Sequence, residues 1–359
     1  MNNIIKLKIA IGYEIKRKSW GGGNQFVASL VKAAEKNGYQ IRYDLKDKDI
    51  DIILIIDPRS YCDGITFGLF EIFKYIKFTN KYALVVHRIN ECDERKNTKH
   101  INRLLRNTNY IADHTVFIAT WLKGLNIYQI NKPYSIILNG ADQNIFNNNK
   151  NKSWDKKTPL KIVTHHWSSN HMKGFDIYRR LDELLLNKEW EDKFQFTYIG
   201  NLPDRFKFKK SKHLPPINGK NLGKELSKHH VYLTASLNEP AGMHHIEGVL
   251  CGLPVLYRDS GALPEYCSNY GISFNNSNFI NSIKEMLLDY DKYKLAIKNY
   301  PNNSIKMTNE YLDLFNELVS NKKKLVNNRK LFISPTIVIS YFLIYVYGLK
   351  KILKNLFYR

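Results

Sequence analysis

The sequence is poor in acidic residues and in cysteine. Its 359 residues include 33 aspartates and glutamates against 55 lysines and arginines, so the formal net charge is +22. The four cysteines are scattered and form no CxxC pair, which argues against a disulfide framework or a zinc ribbon and fits a reducing cytosol. With 43% apolar and 25% charged residues, the composition excludes a disordered chain, a collagen-like fibre and a polytopic membrane protein. The length suggests two domains.

Long uncharged segments are also scarce. Residues 1–15 mix apolar and charged side chains and lack the apolar core of a signal peptide, so we expect the catalytic part to stay in the cytoplasm. The exception is Leu331–Leu349, 19 residues without a charge, which as a helix would extend about 28 Å, just enough for a bilayer core. Three interpretations stay open: an interfacial anchor, which its polar residues and tyrosines favour, a spanning helix, or a helix packed on the protein.

Positive charge is concentrated near the C-terminus. After Glu317 there is no acidic residue, whereas nine basic residues follow, so +9 of the +22 lies in this basic tail, residues 318–359. A basic tail indicates an anionic surface, either a membrane or a nucleic acid. Because no RNA-binding signature is present, we expect peripheral binding to an anionic membrane, at the inner face of the cell membrane, and no nucleic-acid partner.

Short apolar runs alternate with helical segments through most of the chain, for example at Asp51–Ile56, Ala83–His87, Phe194–Ile199 and Val231–Ala235. Strands that are apolar on both faces are typical of parallel sheets covered by helices. We therefore predict an α/β fold with two Rossmann-like domains facing a cleft and a C-terminal helical, membrane-associating tail. The predicted boundaries are 1–147 for the first domain, 148–159 for a linker, 160–300 for the second domain, 301–328 for a closing helix and 329–359 for the tail.

The strongest chemical signal is the segment 236–255, SLNEPAGMHHIEGVLCGLPV. A predicted strand ends near Ala235, a loop carries Glu239, and a helix is predicted to open at Ala241 and Gly242. Free N–H groups at a helix start, together with the helix dipole, form an anion site, and a glycine there lets a phosphate approach the backbone closely. Glu247 follows about two turns along this helix.

Two glutamates eight positions apart around such a helix start resemble the E-x7-E signature of retaining glycosyltransferases with the GT-B fold, of the large family-4 type. Further matches follow in order along the chain: ILNGAD at 137–142, KGFD at 173–176, GLPV at 252–255 and GALPEY at 261–266. The resemblance covers most of the chain. It implies a nucleotide-sugar donor and, as acceptor, a hydroxyl of a surface glycan, with a lipid-linked glycan as one form of it.

The resemblance also implies roles, position by position. Glu239 should hold the donor sugar and stabilise positive charge at its anomeric carbon, and Glu247 should bind the ribose hydroxyls. Lys173 should place its ammonium on the diphosphate, which should also be held by the backbone of Gly242, Met243 and His244. Since N–H groups and a lysine can stabilise a leaving diphosphate, we expect neither a metal nor a cofactor.

One position departs from the family pattern. The family usually has an arginine five residues before the lysine, where this chain has Ser168. The missing positive charge could come from Arg205, which we favour, or from His166. The departure keeps open a catalytically inactive nucleotide-sugar-binding protein as the alternative function, with a nucleic-acid-binding protein as a more distant one.

The first half of the chain offers a second set of candidates. Gly21, Gly22 and Gly23 precede the first predicted helix; they either form a plain tight turn or free the backbone to approach a ligand, and the matching loop of the family faces the donor phosphates and the acceptor. His87 ends a predicted strand, at the sheet edge where ligands bind, and resembles the family's cleft histidine that contacts the donor sugar. Polar residues that follow are candidates for contacting the acceptor: Arg88, Asn90, Asp93, Glu94 and Arg95.

Two patterns that suggest a metal are set aside. Asp49-Ile50-Asp51 matches the DxD motif of the other major glycosyltransferase fold, but it enters a predicted strand from a polar turn. The adjacent histidines at 165–166 and 244–245 lack both the i, i+4 spacing and the nearby cysteine of a zinc site.

Overall fold

The first lobe contains a sheet of six parallel strands in the order β2-β1-β3-β4-β5-β6. The computed structural model of the chain describes residues 6–16, 21–129, 131–329, 331 and 335–357. The strands are β1 Lys8–Ile11, β2 Gln40–Arg42, β3 Ile52–Ile55, β4 Leu84–Ile89, β5 His114–Phe117 and β6 Tyr134–Ile136. The helices between them are α1 Gly22–Lys36, α2 Leu69–Phe78 and α3 Ile101–Thr108.

The second lobe repeats this plan with six parallel strands in the order β12-β11-β10-β7-β8-β9. The strands are β7 Leu160–His166, β8 Phe194–Gly200, β9 Lys212–Leu214, β10 Val231–Thr234, β11 Val255–Arg258 and β12 Gly271–Phe274. The helices are α4 Phe175–Leu184, α5 Gly219–Leu226, α6 His244–Leu250, α7 Leu263–Cys267 and α8 Phe279–Ala296. The prediction of two successive parallel α/β sheets is confirmed.

Both sheets are buried on their two faces, as the apolar runs predict. Every residue of β3 is buried, because α1 covers one face of the first sheet and α2 the other. The core-facing side of α1 carries Phe26, Val27, Leu30 and Ala34, whose i, i+3/i+4 spacing forms one apolar stripe. Burial of such stripes against the sheets holds each lobe together.

The chain returns to the first lobe after completing the second. Residue Asn303 forms a bridge with Ala141, and the following helix, α9 Ser304–Ser320, packs on α1. Its Tyr311 lies against Phe26 with 5.0 Å between ring centroids, and Phe315 is part of the same core. The lobes are thus joined by two chain crossings, near residue 141 and near residue 303.

The basic tail also packs on the first lobe. Helix α10 spans Lys322–Asn327 and α11 spans Pro335–Phe357. Between them, Arg329 forms a buried ion pair with Asp113. Two tail lysines pair with acidic residues of the same lobe, Lys322 with Asp51 at 3.2 Å and Lys351 with Asp63 at 2.7 Å, so part of the tail's charge is neutralised internally.

One face of α11 is docked on α3. Asn107 Nδ2 donates to Ser340 Oγ at 2.8 Å, and the rings of His100 and Tyr347 stack with centroids 4.1 Å apart. Ile344 is buried in the core on that side of the sheet. The structure therefore agrees with the packed-helix interpretation for this face. Among the residues described, no helix combines the length and the apolar character that crossing a membrane requires.

Candidate active site

A cavity of ≈ 350 Å³ lies in the cleft between the lobes. The carboxyl ends of parallel strands from both sheets meet there, which is where α/β folds bind ligands. Second-lobe residues that line it include His165, His166, Ser168, Lys173, Glu239, Gly242, Met243, His244 and Glu247. First-lobe residues include Gly22, Gly23, Cys62, Asp63, Arg88, Asn90, Arg95 and Asn139. Most of the predicted site residues are thus brought to one cavity.

The two lobes are in direct contact around this cavity. Trp121 Nε1 donates to the carbonyl of Pro240 at 3.2 Å, and the Tyr266 hydroxyl donates to the carbonyl of Ile118 at 2.7 Å. Near the cavity, Asn238 Nδ2 donates to the carbonyl of Glu94 at 3.2 Å. These bonds hold the cleft in a closed arrangement, with first-lobe loops lying over the second-lobe site.

Glu239 and Lys173 form an ion pair inside the cavity, with side chains only 5% and 11% exposed. Burial alone would raise the pKa of Glu239, but the positive charges of Lys173 and Arg95 outweigh it and lower the pKa to about 2. Burial lowers the pKa of Lys173, and the carboxylate of Glu239 opposes that change. The pair therefore places a fixed carboxylate and an ammonium side by side at neutral pH.

Glu247 lies on α6 with its side chain 2% exposed. One carboxylate oxygen, Oε2, is 2.6 Å from His165 Nε2. The other, Oε1, is buried and accepts no hydrogen bond from the part of the chain described by the structure. His165 in turn has its Nδ1 3.1 Å from the Tyr232 hydroxyl. Glu247 lines the cavity, and a carboxylate with one oxygen that lacks a partner is suited to accept a hydrogen bond from a ligand hydroxyl.

The loop between the glutamates differs in detail from the prediction. Helix α6 begins at His244, not at Ala241, and Met243 occupies its N-cap position. The loop is held by the amide of Ala262, which donates to the carbonyl of Glu239 at 2.9 Å. A Cβ on Gly242 would lie 2.4 Å from the His244 ring, so a glycine is required where the loop passes that ring.

The glycine loop of the first lobe meets this second-lobe loop. A Cβ on Gly22 would lie 2.6 Å from Met243 Cγ, whereas one on Gly23 would meet nothing within 4 Å in the described structure. Gly22 therefore permits close approach of the lobes, and Gly23 leaves backbone accessible to the cavity.

Two histidines that line the cavity, His166 and His244, are neutral at neutral pH. His166 Nε2 is 2.7 Å from the Tyr178 hydroxyl, and His244 Nε2 is 2.8 Å from Thr234 Oγ1. Burial holds the pKa of both His166 and His244 well below the usual value. His166 lines the cavity but does not supply the positive charge that Ser168 leaves missing.

Arg205 is not positioned to supply that charge either. It is exposed, in a left-handed loop conformation with φ 63°, and is not among the described residues that line the cavity. Arg95 does line it and is hydrogen-bonded to Glu91 at 3.2–3.3 Å. Of these two arginines, the one that lines the cavity is therefore Arg95, which belongs to the opposite lobe. The sequence had marked Arg95 only as a candidate acceptor contact.

His87 lies elsewhere than predicted. It is fully buried inside β4, with Nδ1 2.6 Å from Asn109 Oδ1, and is not among the cavity-lining residues that the structure describes. The strand continues to Ile89, two residues beyond the predicted end. Because side chains alternate along a strand, Arg88 and Asn90 face the cavity instead. Arg88 stacks over Phe26 at 3.9 Å and donates to Asn139 Oδ1 at 2.8 Å.

Two polar residues that sequence reasoning missed help to build the site. His165 orients Glu247, and Asn139 connects the lobes by donating from Nδ2 to the carbonyl of Ala241 at 2.6 Å. Asn139 lies in the segment 137–142 that carries part of the family resemblance, which is the signal that could have found it. No group of histidines, cysteines or carboxylates within the described ranges has the arrangement of a metal site.

No protein-family model matches the sequence, and no curated protein matches it. Solved structures do match. HepE from Anabaena in complex with UDP has a TM-score of 0.65 and 12% identity, covering 87% of this chain and 100% of that chain. Sucrose-phosphate synthase from Thermosynechococcus elongatus has a TM-score of 0.62 and 13% identity, covering 88% and 99%.

A third similar structure is the catalytic domain of starch synthase IV from Arabidopsis thaliana bound to ADP and acarbose. Its TM-score is 0.61 at 12% identity, covering 88% of this chain and 99% of that chain. All three are similar over nearly their whole length, which shows a shared arrangement of both lobes. The chain therefore has the two-lobed GT-B fold of these glycosyltransferases.

Proposed function

We propose that the protein is a retaining, family-4-like glycosyltransferase that moves a sugar from a nucleoside-diphosphate-sugar donor to a hydroxyl of a glycan acceptor. The observation that carries this proposal is the buried Lys173–Glu239 pair, with Glu247 across the glycine-containing loop, in one interlobe cavity. The binding of UDP or UDP-glucose by HepE, and of ADP by the starch synthase domain, supports a nucleotide-sugar donor.

In the proposed reaction the bond between the anomeric carbon and the diphosphate oxygen breaks, and its electron pair leaves with the diphosphate. The acceptor oxygen forms the new bond on the same face of the sugar, and its proton passes to the leaving diphosphate. Negative charge therefore grows on the phosphates and positive charge on the anomeric carbon. Groups that meet these charges in the transition state lower the barrier.

The second lobe supplies groups of both signs. Lys173 and the backbone N–H groups at Gly242–His244 stabilise the diphosphate, so the residues themselves can do this work without a metal. Glu239, ionised because of its pKa of about 2, holds the sugar hydroxyls and stabilises the positive anomeric carbon. Glu247 uses its free Oε1 to accept from the ribose hydroxyls.

Arg95 provides the cation that Ser168 does not. It lines the cavity opposite Lys173, and its charge acts on both Lys173 and Glu239. Because Arg95 belongs to the first lobe, its contribution to phosphate binding depends on closure of the cleft. This arrangement couples lobe closure to stabilisation of the leaving group.

We further propose that the acceptor is a surface glycan, including a lipid-linked form, and that the protein works as a peripheral protein at the inner face of an anionic membrane. The support is the surplus of positive charge, +22, together with a C-terminal helix that exposes apolar side chains.

The first test is a thermal-shift screen of nucleotide sugars on the full chain. A ligand at 100 times its dissociation constant raises the free energy of unfolding by about 2.7 kcal/mol. Donor turnover is then measured for Glu239→Gln, Glu247→Ala and the exposed control Glu285→Gln. We expect E239Q to lower turnover by roughly 10²–10³, E247A to raise the donor KM, and E285Q to match wild type.

Undiminished turnover in both E239Q and E247A would refute the site assignment. Donor binding by wild type without turnover on any glycan acceptor would instead support the alternative, a catalytically inactive nucleotide-sugar-binding protein.

A further inference from the structure

Helix α11 has two faces that differ in what covers them. The inner face, which includes Ser340, Ile344 and Tyr347, packs on the first lobe. The opposite face is apolar and has no partner among the described residues. Its residues, here called the outer stripe, are Val338, Phe342, Tyr345, Leu349 and Leu353, each between 43% and 63% exposed. Their spacing of three or four residues keeps them on one side of the helix over about 22 Å.

A soluble protein rarely exposes a continuous apolar stripe of this kind without a partner for it. The stripe extends onto the lobe itself, because the half-exposed ring of Phe70 on α2 lies 4.5 Å from that of Tyr341. Because contacts hold the inner face of α11 on the first lobe, the outer stripe faces away from that lobe.

The charges beside the stripe identify its partner. Helix α11 contains lysines and no acidic residue. Lys350 lies at the edge of the stripe, Arg103 lies on α3 between the residues that contact α11, and Lys74 is exposed on α2; in the described chain none of the three has an acidic partner. Apolar side chains flanked by unpaired cations match an anionic bilayer, in which the chains enter the interface and the cations meet the headgroups.

A second copy of the chain fits this surface less well. A two-fold contact would place the same patch on both partners and bring their Lys350, Arg103 and Lys74 side chains together. Like charges placed so close oppose association. The bilayer is therefore the occupant that the charges favour.

The outer stripe also has a fixed relation to the cleft. Lys351 pairs with Asp63, which lines the cavity, and donates to the carbonyl of Tyr61 at 3.1 Å. Gly348 lies against Tyr61, with 3.4 Å between its ideal Cβ position and Tyr61 Cβ. The C-terminal half of α11 is thus attached to the rim of the cleft.

We propose that the outer stripe docks the first lobe on an anionic bilayer with the rim of the cleft held beside the headgroups, where a lipid-linked acceptor presents its glycan. This inference deepens the membrane part of the proposed function and rests on that function only for the identity of the acceptor.

The test uses the full chain and vesicles of phosphatidylcholine containing about one third phosphatidylglycerol. Co-sedimentation is compared for wild type, the double variant Phe342→Asp/Tyr345→Asp and the control Leu288→Asp, which changes a residue 77% exposed on α8 of the second lobe. We expect wild type and L288D to bind the vesicles equally and the double variant to bind at least tenfold more weakly. Because all the substituted positions are exposed, we expect every variant to fold as the wild type does.

A spectroscopic measurement checks the orientation. Phe342→Trp should be quenched by lipids with brominated acyl chains, whereas Leu288→Trp should not. Three results would each overturn the proposal. The first is equal quenching of the two tryptophan variants, and the second is unchanged vesicle binding by the double variant. The third is a wild-type protein that forms a dimer and does not bind vesicles, while the double variant is a monomer.

The same samples separate this proposal from the proposed reaction. Nucleotide-sugar thermal shifts that persist while vesicle binding is absent contradict only the docking surface. Vesicle binding that depends on the stripe, without any nucleotide-sugar shift, supports the surface and contradicts the proposed reaction.

Discussion

The two walls of the cavity are built differently. On the second-lobe wall, polar side chains are paired and almost completely buried, as in Lys173–Glu239 and His165–Glu247. On the first-lobe wall, backbone at the glycine loop and the partly exposed Arg95 face the cavity. A preorganised wall suits a ligand of constant chemistry, and an open wall of loops suits one that varies between proteins. Under the proposed function, the contrast predicts that the second-lobe wall contributes most to donor binding, with Arg95 as the first-lobe exception.

The largest expected effect comes from removing the cation of the preorganised wall. Lys173→Met leaves the carboxylate of Glu239 buried without its partner, so we expect turnover to fall roughly 10³-fold and the free energy of unfolding to fall by about 3 kcal/mol. Urea denaturation and donor turnover measure the two effects.

The double variant Lys173→Met/Glu239→Gln should recover most of that stability, because no charge is left unpaired, while staying inactive. Lys207→Met, an exposed lysine, is the control and should change neither quantity. If the double variant is no more stable than K173M, the pair is not the element that organises this wall.

Acid should destabilise the second lobe more than the first. In the second lobe, burial lowers the pKa of His229 and His230 to about 4 and that of His245 to about 3, and it holds the pKa values of His166 and His244 well below the usual value. In the first lobe, burial lowers the pKa to about 4 for His87 and His114, and it also lowers the pKa of the less buried His100. Unfolded histidines take up a proton near pH 6.5, so stability is complete above that pH and falls as the pH drops towards 4.

We therefore expect the second lobe to lose protection first. Hydrogen exchange, corrected for the intrinsic pH dependence and resolved by peptide, compares the lobes at pH 7 and pH 5. Earlier opening of the first lobe at pH 5 would contradict this assignment of the buried histidines.

The next prediction concerns the cation on the open wall. Arg95→Ala should raise the donor KM by about tenfold, because a charge that reaches the diphosphate site across the cleft is lost, and Arg95→Lys should recover part of it. Arg205→Ala is the matched control at the exposed arginine. The donor KM of each variant is measured with the donor that the thermal-shift screen identifies. A larger rise in KM for R205A than for R95A would favour Arg205, the arginine that the sequence indicated, as the phosphate-binding cation.

The smallest effect is expected at the contact between the walls. Gly22→Ala places a Cβ 2.6 Å from Met243 Cγ, so the flexible methionine must move and the cleft closes less readily. We expect G22A to raise the donor KM a few-fold. Adding Met243→Ala to G22A should restore the wild-type KM, and Gly23→Ala alone should leave the KM unchanged. Equal effects of G22A and G23A would show that closure does not depend on this contact.

The fold was readable from the sequence because parallel strands buried on both faces need continuous apolar runs. The predicted strand at 51–56 corresponds to β3 at Ile52–Ile55, and the one at 194–199 to β8 at Phe194–Gly200. Such runs specify burial strongly. The E-x7-E segment was noticed for another reason, its resemblance to a family motif, and both of its glutamates line the cavity.

Two predicted site residues, His87 and Arg205, are not among the described residues that line the cavity, and their positions depend on distant contacts. His87 is enclosed because β4 extends two residues beyond the predicted end, and along a strand the face alternates at every residue. Arg205 lies on an exposed loop, and no local sequence pattern indicates which way a loop residue points. For α11, an apolar sequence could not reveal which of its faces packs on the lobe and which stays outside.

The return of α9 to the first lobe has a consequence for how the chain folds during synthesis. Met307, Tyr311 and Phe315 complete the core around α1 and the first sheet, yet they are translated after the whole second sheet. The first lobe therefore cannot complete its core until α9 has been synthesised, whereas the second lobe can complete its core before that. We expect a nascent chain stalled near residue 300 to carry a protease-resistant second half and a protease-sensitive first half; the reverse pattern would show that the early residues fold without their late-arriving helix.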